Sequence, residues 1–154
     1  MARTLPFHRS PQARRAHLSK LSLFPLPKRE ADLLSLHAHC SLQALIDGRG
    51  WLGGVQSLTE VLILTSFVAE AGYGQISRET WLDAEAALNA AFGKGRDAGV
   101  WQIDADGSGR VCAVLAMHDA QLSGAPLGVL ATASERLEQL KTGEPKPLPQ
   151  RKRA

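Results

Sequence analysis

The chain of 154 residues has room for one domain, and at 44% hydrophobic it carries enough apolar material for a core, which excludes a wholly disordered polypeptide. At 5% aromatic it is rich in Leu and Ala, the composition of a helical protein rather than a sandwich or barrel, and its two cysteines are too few for a disulfide scaffold. The net charge of +3 hides a partition: residues 1–29 hold seven Lys or Arg and no acid, residues 30–140 hold six against fourteen acids, and residues 141–154 hold five against one.

The first segment, 1–27, interleaves Pro6, Pro11, Pro25 and Pro27 with arginines, which forbids a continuous helix but allows a short basic one from Gln12 to Leu23. No apolar run follows the charges, so a secretory signal is not expected, although the acid-free composition also meets that of a mitochondrial presequence. Residues 28–141 read as a helical domain. A first helix from about Arg29 to Ile46 places Leu33, Leu36, His37, Cys40 and Ala44 at three- and four-residue spacing and stops at Gly48 and Gly50. A second is expected to begin at the capping box Ser57-Leu58-Thr59-Glu60 and run to Gly72; apolar nearly all round, it should be the central helix.

Ser77 is the expected N-cap of a third helix, Arg78 to Phe92, with Gly93-Lys94-Gly95-Arg96 as a mobile basic turn. Val100 to Ile103 alternates with period two and fits either an extended segment or one helical turn. Asp106 or Ser108 is expected to cap a fourth helix, Gly109 to Leu122, and Pro126 to open a fifth that ends at Lys141. Residues 142–154, with three prolines and Arg151-Lys152-Arg153, read as a solvated basic tail. The fold class that results is all-α, a bundle of about five helices between basic, disordered arms.

Chemistry-bearing patterns are sparse. Asp104-Ala105-Asp106-Gly107-Ser108-Gly109 matches the opening of an EF-hand loop, but the position that must supply a bidentate carboxylate is Leu115, so the segment is read as a helix-capping turn. His37 and Cys40 share a helical face without a second ligand pair, and Cys40 and Cys112 are read as small buried hydrophobes, with no metal or cofactor expected. Cys112, His118 and Asp119 do not have the spacing of a catalytic triad, and no nucleophile elbow, Walker loop or dinucleotide fingerprint is present, which points away from an enzyme. Ala120, Gly124 and Leu130 have helix-turn-helix spacing. The helix after Pro126 nevertheless has no Arg, Lys, Asn or Gln in its first turns with which to read a base, so the pair is taken as a core helical hairpin. Nucleic-acid contact is therefore expected from the arms, through Arg14, Arg15, Lys28, Arg29, Arg151, Lys152 and Arg153, which can neutralise phosphates without reading sequence.

Leu26-Pro27-Lys28-Arg29-Glu30-Ala31, the helix from Leu36 to Leu45, Trp101-Gln102-Ile103-Asp104-Ala105-Asp106-Gly107 and His118-Asp119-Ala120-Gln121-Leu122, in that order, resemble small proteobacterial proteins of plasmids, prophages and integrative elements that are identified as Fis-family transcriptional regulators. The resemblance spans residues 23–142. It implies a non-enzymatic regulatory protein of a mobile genetic element; Fis proteins end in a basic helix-turn-helix, which this chain lacks. Two partner classes follow: DNA, held non-specifically by the arms of a body that forms a homodimer, or a protein target, for which the body is an inhibitor or adaptor in anti-defence or transfer control. Reduced cysteines and the absence of a run of roughly 20 uninterrupted apolar residues fit a cytoplasmic protein with no membrane partner.

Overall fold

The computed structural model describes Gln12, Arg15 and residues 19–143. Lys28, at the foot of the basic segment, opens α1 (Lys28–Ile46), followed by α2 (Leu52–Glu70), α3 (Arg78–Ala98), α4 (Ala105–Gly124) and α5 (Leu127–Thr142). The protein is all-α, and among the described residues the only extended pairing is a single bridge between Pro25 and Pro126. Gln12, Arg15 and Ser19 to Leu21 are helical, as the basic segment allowed.

The face that α1 turns inward is not the one its leucines suggest. Ala31, Ala38, Ser41, Leu42 and Leu45 are buried, whereas Leu33, Leu36, His37 and Cys40 are exposed. Two apolar rows run along this helix, and periodicity alone cannot choose between them. The small side chains of Ala31, Ala38 and Ser41 let α2 and α4 approach closely, and the helix that gains most contact wins.

α2 starts five residues before Ser57, so the expected capping box lies inside the helix. Trp51 is the N-cap, and its carbonyl accepts the amides of Gly54 and Val55 at 3.1 and 3.2 Å. Gly53 and Gly54 lie in its first turn. Each lies against the Trp51 indole, where a methyl group would come within 3.0 to 3.3 Å of the ring. α2 is the central helix: it packs against all four others. It is also long and apolar enough to cross a membrane, with a mean hydropathy of 1.5, although polar residues interrupt its apolar run. In the bundle its buried line of Val55, Leu58, Leu62, Thr65 and Val68 belongs to the core.

Ser77 caps α3 as expected, its hydroxyl accepting the Thr80 amide at 3.1 Å. The helix then continues past Gly93 to Gly99, whose φ of 69° ends it, so Gly93-Lys94-Gly95-Arg96 is helical rather than a mobile turn. Gly95 is there because Trp101 lies on it, and a methyl group would overlap the indole. Residues 100–103 are a non-helical strap: the Trp101 carbonyl accepts the Gly50 amide at 3.2 Å, and the Ile103 amide donates to the Leu45 carbonyl at 3.1 Å.

The acidic turn caps α4, but through Asp104, whose Oδ1 accepts the Gly107 amide at 2.6 Å. Asp106 lies in the first helical turn beside Arg110. Pro126 is the N-cap of α5 rather than its first residue. The expected α4–α5 hairpin does not form: Ala125 and Pro126 are extended, and α5 packs on α2 instead. Residues 22–26, expected to belong to a free arm, join the body. Phe24 and Ser22 carbonyls accept the amides of Leu127 and Gly128 at 2.7 and 2.9 Å, and Leu26 packs beside Ala31, Leu122 and Leu130.

Two helix-interior glycines make a test of this packing. Gly95→Ala is expected to destabilise the protein by about 1 to 3 kcal/mol through overlap with Trp101. Gly93→Ala, which meets open space, should stabilise it by roughly 0.5 to 1 kcal/mol through lower backbone entropy in the unfolded chain. Urea denaturation of the two variants side by side checks both signs.

Candidate functional site

Of the residues expected to bind nucleic acid, Arg14, Arg151, Lys152 and Arg153 lie outside the described residues. Arg15 is exposed. Lys28 and Arg29 open α1 and are exposed; Lys28 pairs with Asp32 one turn on, while Arg29 has no ion-pair partner among the described residues. Several cations of the body are engaged within it. Arg96 is held by Asp97 at 2.9 Å, Arg110 by Asp83 at 2.6 Å and Arg136 by Glu70 at 2.9 Å, the last also stacked 3.8 Å from the centre of the Phe67 ring. Lys141 belongs to α5 rather than to the tail, and Glu60 and Glu138, at 3.0 and 3.2 Å, hold its ammonium above the ordinary lysine range. Half the cations of residues 30–140 are thus neutralised within the fold, and the body presents its surplus of carboxylates.

A polar cluster that joins two helices was not visible as a motif. His39 on α1 and Asp119 on α4 meet at 2.8 Å between Nε2 and Oδ2, eighty residues apart in sequence. His118, next to Asp119, is buried. Burial disfavours the imidazolium of His118 and lowers its pKa, and the neighbouring His39 acts in the same direction against the opposing pull of Asp119. For Asp119, burial pushes the carboxyl up, but the Ser35 hydroxyl, the His39 bond and the charge of both histidines outweigh it and set the pKa below the ordinary carboxylate value. Ser35 acts at longer range than a formed hydrogen bond, since the second carboxylate oxygen, Oδ1, is buried without a partner. The only sequence signal for this cluster was that His39, Ser35 and Asp119 flank the buried rows of their helices.

The chemistry of the cluster is that of a clamp. A nucleophilic relay needs the hydroxyl on the imidazole, with the acid behind it; here Ser35 acts on the acid, and His39 is bonded to that same acid. His37 stands apart on the exposed side of α1, with its Nδ1 3.5 Å from the Ser57 hydroxyl. Cys40 and Cys112 are both exposed, contrary to expectation, because each lies off the buried row of its helix. Among the described residues no three of His, Cys, Asp and Glu come together as a metal-holding group. No protein-family model, curated protein or solved structure matches the chain.

The lowered pKa of His118 makes stability depend on pH. The unfolded chain takes up a proton near the ordinary value of 6.5 while the folded chain does not, so stability is full above that pH and falls as pH drops through it toward the lowered folded value. Asp119 adds a second loss below its ordinary value of 3.8. Urea midpoints measured between pH 8 and pH 3 should show both steps, and His118→Gln should flatten the first while leaving the second.

Proposed function

We propose that this chain is a non-enzymatic regulatory protein of a mobile genetic element that contacts nucleic acid through its basic arms, with the helical body as the platform that holds them. The observation that carries this reading is the charge layout: an acidic body whose arginines are largely engaged in internal ion pairs, flanked by acid-poor segments rich in Arg and Lys. A phosphate backbone is repelled by the first and attracted by the second. The likeness to proteins identified as Fis-family regulators supports the regulatory half of the reading. The helix after Pro126 supports the non-specific half, because its first turns carry Gly128, Val129, Leu130 and Ala131 and no side chain that forks onto a base edge. The cytoplasm is the compartment in which such a protein meets its target.

A second reading, in which the body docks on a protein and reads no DNA, is favoured by one observation: the leucines of α1 that face solvent. Salt dependence separates the two. If the arms neutralise about four phosphates, affinity for duplex DNA falls with salt at a log-log slope of roughly −3.5, at about 0.9 per contact. Replacing Arg14, Arg15, Lys28, Arg29, Arg151, Lys152 and Arg153 together with Gln should bring that slope close to zero, whereas Arg49→Gln with Arg78→Gln in the body should leave it unchanged. Fluorescence anisotropy over a salt series makes the measurement. A slope that survives in the arm variant overturns the reading.

A further inference from the structure

The outer line of α1 carries a pattern that the bundle does not use. Leu33 and Leu36 are 58% and 59% exposed, and with Cys40 and Ala44 they form an apolar stripe along the middle of a nineteen-residue helix. Arg29 and Asp47 stand at the two ends of that stripe. They are eighteen residues apart, which is five full turns at 3.6 residues per turn, so both project in the same direction as the stripe between them. Each lies at the end of the helix that suits it poorly, the cation beside the N-terminal end of the macrodipole and the anion beside the C-terminal end. Asp47 has Gln43 as a neutral partner at 3.0 Å, and Arg29 has no acidic partner among the described residues. Beyond Gly48 the chain turns inward, where the Gly50 amide reaches the Trp101 carbonyl at 3.2 Å, and leaves the end of the stripe open.

We propose that this face of α1 binds a second copy of the same chain, with the two α1 helices antiparallel about a two-fold axis at the level of Ala38. A two-fold interface must complement itself: if one residue touches another, the reverse contact follows. In an antiparallel pair the partners of any residue are fixed by the position of the axis. The register that sets Leu36 of one copy against Cys40 of the other also sets Arg29 against Asp47 at both ends, and it turns each unfavourable helix-end charge toward the opposite pole of the neighbouring macrodipole. A parallel pair would oppose Arg29 to Arg29 and Asp47 to Asp47, and a shifted antiparallel register would lose the ion pairs. The charges therefore select both orientation and register, as polar residues at the rim of an apolar helix seam do elsewhere.

The inference goes beyond the nucleic-acid reading and does not rest on it. A single helix pair is a small interface by the usual standard, so the dimer is expected to form in the micromolar range. Sedimentation of the full chain from about 5 to about 200 μM should show the weight-average mass rising from one chain toward two. Arg29→Asp and Asp47→Arg should each weaken the dimer about tenfold or more, because by symmetry every reversal creates two like-charge contacts, and the double variant should regain most of the loss. Leu36→Glu should leave the chain monomeric. Helicity and the urea midpoint serve as controls on all four, since each changed side chain is exposed. As an independent readout, a bis-maleimide with a spacer of about 8 to 10 Å, matching the usual distance between packed helices, should link chains through Cys40 in a Cys112→Ser background. A chain that stays monomeric to the highest concentration, or a dimer that survives Leu36→Glu, or single variants that the double variant does not rescue, overturns the proposal. Any of these outcomes leaves the salt slope of DNA binding to stand or fall separately.

Discussion

The seating of Trp101 against Gly95 is the contact on which the arrangement of the bundle depends. A tryptophan ring lying directly on a helix backbone requires glycine beneath it, and at Gly95 any side chain would occupy the ring's place. The same short strap fixes three other elements. The Trp101 carbonyl receives the Gly50 amide just before α2, the Ile103 amide reaches the last turn of α1, and Asp104 then caps α4. Phe92 meets the Trp101 ring edge-on at 6.2 Å and closes the other side. The ends of α1 and α3 and the starts of α2 and α4 are thereby held at one end of the bundle, and the directions of the long helices follow from that anchorage and from the apolar line of Leu45, Leu58, Leu62, Leu88 and Leu115.

This anchorage explains which parts of the fold were legible in sequence. Segments whose signals act within one helical turn could be read directly: Ser77 with the Thr80 amide, the stop at Gly48, the proline before α5. Segments whose conformation is decided by a distant residue could not. Gly93 and Gly95 read as a helix break because glycine costs about 1 kcal/mol in a helix interior. Trp101 reverses that reading at Gly95 by occupying the space a side chain would need, while Gly93 is carried along in open space. Ser57 and Glu60 had the spacing of a cap, but Trp51 had already started the helix. The inward row of α1 was hidden for a different reason: a row of small residues buries less area than a row of leucines and yet allows closer approach, and only the neighbouring helices decide which matters.

Polar structure within the bundle follows the same division. His39 and Asp119 are eighty residues apart and join α1 to α4 at the border of the core. Gln121, two residues closer to the end of α4, donates to the carbonyls of Thr65 and Tyr73 at 3.0 and 2.9 Å and ties that helix to the end of α2. Such pairs specify how helices are rotated against one another, since a rotation that breaks them leaves a buried polar atom unsatisfied. On α1 the His39–Asp119 bond favours the rotation that keeps its leucines outward.

That constraint bears on why a helix with two apolar rows keeps the larger one outside. Exposed leucines are common singly and carry no meaning, but Leu33 and Leu36 stand on one line with a cation at one end and an anion at the other. A solvated helix face gains nothing from leucine over a polar helix former of similar propensity such as Gln or Lys. An antiparallel α1 pair gives these residues a role and has a geometric consequence for the arms. The two Lys28 ends would lie at opposite ends of the pair, about 30 Å apart along it at 1.5 Å per residue. This is somewhat less than the 34 to 36 Å, about one turn of B-DNA, that separates the half-sites read by two-fold symmetric binders. Flexible arms starting from those points could close that difference without any rearrangement of the bundle. Self-association through α1 and phosphate contact through the arms are thus compatible in one molecule, and Arg29 is the one residue for which they compete: in the pair it faces Asp47, so the burden of phosphate contact shifts to the arginines and lysines farther out on the arms.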